Sequence, residues 1–277
     1  MGIDRFAGKI MYFCNLFNDM EIMPQNKNTP EDDRVLYKLG QKVRKAIYDY
    51  ALIEDGDRIL IALSGGKDSL ALTELLGRQM RIFKPRFTAI AAHIGMSNIA
   101  YESDTSYLEA HCKKVEIPFI YRRVTSFDPE TDRRKSPCFL CSWYRRKVLF
   151  DIAKEQNCNK IALGHHQDDI LQTLLMNMTF QGAFGTMPPR LVMDKFEMTL
   201  IRPMCLIPES ELKKLAELQK YEKLIKNCPY ESSSSRPEMK EVLTALEKIN
   251  PQVRGNIWKS MTHIQSAYLP DPIGEKK

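Results

Sequence analysis

The chain has 277 residues, 43% hydrophobic and 27% charged, and a formal net charge of +6. This balance excludes a disordered or fibrous chain and allows one large domain or a core domain with a smaller addition. The positive excess alone does not establish a nucleic-acid partner.

No apolar run approaches the ~20 residues of a membrane span. The start, MGIDRFAGKIMYFCNLFNDMEI, scatters acid and base through its apolar residues, unlike a secretory signal. The protein is expected in the cytoplasm, with residues 1–29 a flexible N-terminal extension and Met23 an alternative start.

From Pro30 to about Ile53, Val35, Leu36, Leu39, Val43, Ile47 and Tyr50 recur near a 3.6 period behind an acidic start, which predicts an amphipathic helix. The EDGD turn leads into a buried strand over 57–63, then Ser64-Gly65-Gly66-Lys67-Asp68-Ser69, then a helix from Asp68 with Leu70, Leu72, Leu75 and Leu76 facing inward. RFTAIAAHI (86–94) is a second strand, ESDTSYLEAHCKK a helix and IPFIYRRV a third strand. Basic clusters follow at Arg122-Arg123, Arg133-Arg134-Lys135 and Arg145-Arg146-Lys147, and Lys38, Lys42, Arg44 and Lys45 share the first helix. They suit a polyanion or a solvated face equally well.

CSWYRRKVLFDIAKEQ reads as a helix, NKIALG (159–164) as a fourth strand and DDILQTLLMNMTF as another helix. One more strand lies in EMTLIRPMCLIP. The stretches ESELKKLAELQKYEKL, 237–249 and 251–265 read as helical, interrupted by the loop NCPYESSSSRP.

Strands alternating with helices require crossover connections, so the fold class is α/β, a parallel sheet between helices. It is expected over 30–205, with a small helical appendage over 206–277. Ligands of such sheets sit beyond the carboxyl ends of the strands. Ser64, Ile94 with its neighbour His93, and Gly164 stand at those ends.

The glycine pair at the first strand end permits a tight turn that brings backbone N–H groups close to an anion. A Walker A loop is excluded, because Ile61 stands where its first glycine belongs and Asp68 where its hydroxyl belongs. No Gly-x-Gly-x-x-Gly is present either. What remains is a loop whose N–H groups, Ser64, Ser69 and the point charge of Lys67 surround a phosphate, while Asp68 holds Mg²⁺ or caps its helix. This hexapeptide resembles the PP-loop of ATP pyrophosphatases, which cleave ATP to AMP and pyrophosphate.

Gly164-His165-His166 follows the fourth strand, and Asp168-Asp169 opens a helix. Two carboxylates there are helix caps or, facing the phosphate loop, Mg²⁺ ligands. Seven cysteines without secretory context favour thiol or metal chemistry over disulfides. Cys138 and Cys141 form a Cys-x-x-Cys pair that is a metal half-site or a redox dithiol, and Cys228, in an irregular loop, is the best candidate for a third ligand. Three thiolates leave one position open for chemistry.

The PP-loop, GHHQDD, MPPR at 187–190, the Cys138/Cys141 pair and the late Cys228 occur in an order similar to that of the tRNA 2-thiocytidine synthetase family, from about Arg34 to Ser260. The resemblance implies ATP and Mg²⁺ on Ser64, Gly65, Gly66, Lys67, Asp68 and Ser69, with Asp168 or Asp169 and with His93, Gly164 and His165 beside them. It also implies a [4Fe–4S] cluster on Cys138, Cys141 and Cys228, tRNA as substrate with a cytidine of the anticodon loop as target, and cysteine desulfurase or sulfide as sulfur donor. A homodimer is an open option.

Arg145 stands four residues after Cys141, where related uridine thiolases carry lysine. Arginine stays protonated, so it suits holding a phosphate or the reacting base. The readings left beside thiolation are a lysidine synthetase or another PP-loop adenylating enzyme, a uridine thiolase, and a nucleotide-binding RNA module without turnover.

Overall fold

The computed structural model describes residues 31–82, 84–97, 105–125, 137–194, 196–222 and 236–270. Its first element, α1 (Glu31–Asp49), begins with three acids, Glu31, Asp32 and Asp33, which suit the positive end of a helix. Leu36, Leu39, Val43 and Ile47 are buried at helical spacing. β1 (Arg58–Ala62) follows, then α2 (Lys67–Met80), β2 (Thr88–Met96), α3 (Thr105–Lys114) and β3 (Phe119–Val124). α4 (Pro137–Glu155), β4 (Lys160–Ala162) and α5 (Gln167–Met176) complete the alternation.

Among the described residues, the sheet has six strands in the order β3-β2-β1-β4-β6-β5, where β5 is Arg190–Val192 and β6 is Thr199–Ile201. β1, β2, β3, β4 and β6 run parallel. β5, an edge strand not expected from the sequence, is antiparallel to β6 and adds to the expected parallel sheet. A three-residue strand exposed along its whole length lacks the alternation by which strands are read.

Successive residues of β1 point to opposite faces. Ile59 and Ile61 join the core with α1 and α2, while Leu60 joins Ile90, Val148, Ile152 and Ile161 on the α4 side. Both faces are therefore covered, as a parallel sheet requires. Leu212 and Leu215 of α6 (Glu209–Leu218) lie in the same core cluster as Leu36 and Leu75, and Lys42 of α1 meets Glu211 at 2.6 Å. The helices α7 (Arg236–Ile249) and α8 (Val253–Ser260) follow. Met239 and Leu243 of α7 are buried, and Trp258 of α8 donates from Nε1 to Tyr50 Oη at 3.0 Å. α6 is thus part of the sheet's own core, and Trp258 and Met261 pack against it.

α4 starts at Pro137, ahead of the expected start at Cys141. Proline suits the first helical position, where its missing N–H is not needed. Cys138 and Cys141 consequently sit three positions apart within the opening turns of one helix. Among the described residues, no helix is long and apolar enough to cross a membrane.

Candidate active site

From β1 the chain builds β2 and β3 on one side and then crosses to lay β4 on the other. The carboxyl ends of β1 and β4 flank that reversal, the place where open α/β sheets leave a crevice for ligand. The phosphate loop follows β1, and Gly164-His165-His166 follows β4.

Gly65 has φ +81°, a conformation that a side chain would strain, and Gly66 is the N-cap of α2. Ser69 ties the turn together: its Oγ donates to Gly66 O at 2.9 Å and accepts from Gly65 N at 3.1 Å. Ser64 Oγ lies 3.1 Å from Ser69 Oγ and 3.4 Å from Gly66 N. The result is a preformed cradle at a helix N-terminus, suited to an anion. Gly164 closes it from the β4 side. A Cβ at that position would stand 3.3 Å from the Asp68 carbonyl carbon and from Ser69 N.

Lys67 Nζ is 2.9 Å from both oxygens of Asp68 and 3.4 Å from Glu209. Glu209 also meets Lys240 at 2.7 Å and Lys213 at 3.4 Å. Burial raises the pKa of the Glu209 carboxyl, but the Lys240 hydrogen bond and the charges of Lys67, Lys240 and Lys213 outweigh it and hold the group at about 2.

His166 caps α5 together with Asp169: His166 N donates to Asp169 Oδ2 at 3.0 Å, and Asp169 N donates to His166 Nδ1 at 3.4 Å. Arg236 faces Asp169 at 3.6 Å. Asp168 is buried, accepts the Glu209 amide at 2.7 Å and pairs with Arg254. Of the three predicted carboxylates, Asp68 lies in the loop and is partly exposed, Asp169 is partly exposed at the start of α5 between His166 and Arg236, and Asp168 fastens α6 and α8 to α5. One or two carboxylates are the usual protein share of a Mg²⁺ shell beside phosphates, so this donor set fits the ion.

β2 runs past the expected end at Ile94 to Met96, so His93 is buried within the strand, its Nδ1–H donating to Leu63 O at 2.7 Å and its ring stacked on Tyr121 at 5.9 Å. Burial pushes its basicity down, the Leu63 bond resists, and the Arg145 charge adds to the depression. Arg145 is half-buried on α4, near enough for its charge to act on His93. His165 accepts from Arg202 Nε at 3.3 Å; burial first and the Arg202 charge second push its imidazole down to about 4.

Arg202, Glu209 and Arg254 were not among the expected site residues. Arg202 is buried, donates from Nη1 to Pro188 O at 2.5 Å and so holds the MPPR segment beside His165. A cation immediately after a strand that ends on the ligand rim was the available signal.

Of the cysteines, Cys112, Cys158 and Cys205 are buried, and burial lifts their thiols, those of Cys112 and Cys205 to about 12. They remain protonated and unsuited to metal. Cys141 is partly exposed near the start of α4, and Cys138 is described only by its place in that helix. Cys228 and the basic run 133–135 lie outside the described residues. Among the described residues, no three His, Cys, Asp or Glu side chains form a metal site.

The profile of the PP-loop domain matches residues 35–243. The chain is 34% identical over 245 residues to a tRNA-cytidine(32) 2-sulfurtransferase of Geotalea uraniireducens, covering 87% of this chain and 96% of that protein. It is 35% identical over 254 residues to the enzyme of the same name from Paraburkholderia xenovorans, covering 89% and 74%. Among solved structures it resembles the U34-tRNA thiolase NcsA of Methanococcus maripaludis, solved with its [4Fe–4S] cluster, at a TM-score of 0.66 and 27% identity over 83% of this chain and 78% of that one. With the PP-loop profile spanning most of its length and relatives matched over most or nearly all of theirs, the chain belongs to the tRNA-cytidine 2-sulfurtransferase family of PP-loop proteins.

Proposed function

We propose that this protein replaces the 2-oxygen of a cytidine in the tRNA anticodon loop with sulfur, at the expense of ATP. The observation that carries the reading is a convergence: the PP-loop after β1, the GHHQDD turn after β4 and the first turns of α4 share one rim of the sheet. α4 connects the carboxyl end of β3 to the amino end of β4, so its cysteine-bearing start lies on the rim that holds the loop.

The cradle of Ser64, Gly65, Gly66, Lys67 and Ser69 binds the β- and γ-phosphates, and Asp68 with Asp169 offers oxygens to Mg²⁺. The cytidine carbonyl oxygen attacks the α-phosphorus, releasing pyrophosphate and turning a poor leaving group into AMP. Lys67 and the loop N–H groups neutralise the charge that leaves with pyrophosphate. Arg145, protonated throughout, holds the base or its phosphate. Cys138, Cys141 and Cys228 would hold a [4Fe–4S] cluster, which would supply the sulfur that bonds to C2 of the base as AMP leaves.

Phe139, Trp143, Arg146 and Lys147 are exposed along α4, with Lys147 Nζ 5.9 Å from the Trp143 ring centroid. Aromatic faces beside cations suit an unstacked RNA loop, which supports tRNA as the substrate. The thiolase NcsA is named for uridine, so a uridine target is the second reading.

Mass spectrometry of tRNA nucleosides from cells lacking this protein separates the two. Loss of 2-thiocytidine is expected; loss of 2-thiouridine alone moves the target, and an unchanged thionucleoside profile ends the proposal. Anaerobic purification should give a protein absorbing broadly near the blue end, and Cys228→Ala should lose iron while retaining ATP binding.

A further inference from the structure

Glu209, the first residue of α6, is the meeting point of three lysines drawn from three elements. Lys67 of the phosphate loop approaches its Oε1 at 3.4 Å, while Lys213 at 3.4 Å and Lys240 of α7 at 2.7 Å approach Oε2. Arg236, one turn before Lys240 on α7, faces Asp169 at 3.6 Å. The side chain of Glu209 is 18% exposed, whereas those of Lys213, Lys240 and Arg236 are 45–49% exposed. The carboxylate is the sheltered centre of the group, and the cations form its accessible wall.

A fastener between α6 and α7 does not need this arrangement. Two half-exposed lysines on one carboxylate repel each other, and each such exposed pair contributes little to stability. Phosphate oxygens take the same donors as a carboxylate and bring more charge. Lys67 belongs to the loop that receives the polyphosphate, so the cations that share Glu209 with it stand within reach of that ligand.

We infer that Lys213 and Lys240 are pyrophosphate-contacting residues, and that the Glu209 carboxylate occupies their cationic centre until the polyphosphate displaces it. This rests on the reading of residues 64–69 as the ATP polyphosphate site and extends that site onto α6 and α7. In the empty site, Glu209 together with Asp68 keeps three close cations from repelling one another, and Asp168 adds attraction for Lys240. After the reaction, Glu209 competes with pyrophosphate for the lysines and hastens its release. The carboxylate therefore weakens pyrophosphate binding, against the usual expectation that removing a site's charged residue loosens its ligand.

The test is calorimetric titration of the full chain with magnesium pyrophosphate, with AMP as control ligand and thermal melting as a check on folding. Lys240→Met should weaken pyrophosphate binding tenfold or more with AMP affinity unchanged, and Lys240→Arg should restore most of it. Lys213→Ala, on the exposed face of α6, should weaken it severalfold. Glu209→Gln should tighten it severalfold. Pyrophosphate affinity within twofold of wild type in both folded lysine variants, or weaker binding in Glu209→Gln, overturns the inference. Lys67→Met separates the two levels: if it leaves pyrophosphate binding intact, the loop assignment itself fails. If it abolishes binding while both lysine variants do not, only the extension onto α6 and α7 is lost.

Discussion

Asp168 and Arg254 are 86 positions apart in the chain and joined by a charge-assisted hydrogen bond from Nη1 to Oδ1. The second oxygen of Asp168 accepts the Glu209 amide at 2.7 Å, and Arg254 also pairs with Glu247 at the end of α7. A single buried carboxylate thereby binds the starts of α5 and α6 to α8. Asp168→Ala should leave Arg254 to Glu247 alone and the Glu209 amide without its acceptor, and cost about 1.5–3 kcal/mol. Arg254→Ala, which leaves the Glu209 amide bond in place, should cost about 1.5–3 kcal/mol. Urea midpoints at constant slope check both, and losses below about 0.5 kcal/mol would show the junction to be idle.

Gly164 is required by proximity. Its backbone lies so close to Asp68 and Ser69 that a methyl group would stand 3.3 Å from main-chain atoms, which cannot rotate away. Gly164→Ala should shift the loop by a few tenths of an ångström, cost about 1–2 kcal/mol of stability, and lower ATP turnover on the order of tenfold or more, since misplaced phosphate donors act on the transition state. Turnover equal to wild type would mean that the loop is soft enough to absorb the methyl group.

Ser69→Ala removes the hydroxyl that joins Gly65, Gly66 and Ser64. At about 1 kcal/mol for each net hydrogen bond, the fold should survive while the cradle loosens. The expected signature is a higher KM for ATP with an almost unchanged melting temperature. A large drop in melting temperature at unchanged KM would assign Ser69 to the fold alone.

His165 sets a pH dependence. Its folded pKa of about 4 lies below the ordinary 6.5, through burial and the Arg202 charge. Across that window the unfolded chain binds a proton that the folded chain refuses, so stability falls as pH drops from 6.5 towards 4 and gains nothing from this group above it. His165→Asn should flatten that segment of the stability curve. Denaturation at about pH 7 and about pH 4.5 checks it, and equal losses in variant and wild type would remove His165 as the cause.

The phosphate loop was legible in the sequence because its chemistry is contiguous: strand, glycine pair, lysine and hydroxyl follow one another along the chain. The alternation of strands and helices was legible for the same reason, since β1, β2 and α2 carry strong apolar patterns. Arg202, Glu209 and Arg254 were not, because each acts on a partner that only the tertiary fold supplies. The start of α4 was hidden by Pro137, which marks a loop as readily as a first helical turn. Asp168 and Asp169 look alike in sequence yet differ in place, one buried under two other elements and the other partly exposed and facing Arg236.

The reversed direction of β5 has an outcome for handling the molecule. Arg190 pairs with Ile201 and Val192 with Thr199, so the hairpin enters and leaves at the catalytic rim and turns at the opposite one. Met193 N thus donates to Met198 O at 3.0 Å on the distal side, where Phe196 is exposed. A dye or surface tether inserted there would leave the nucleotide entrance facing bulk solvent, an orientation suited to watching single turnovers on an immobilised protein.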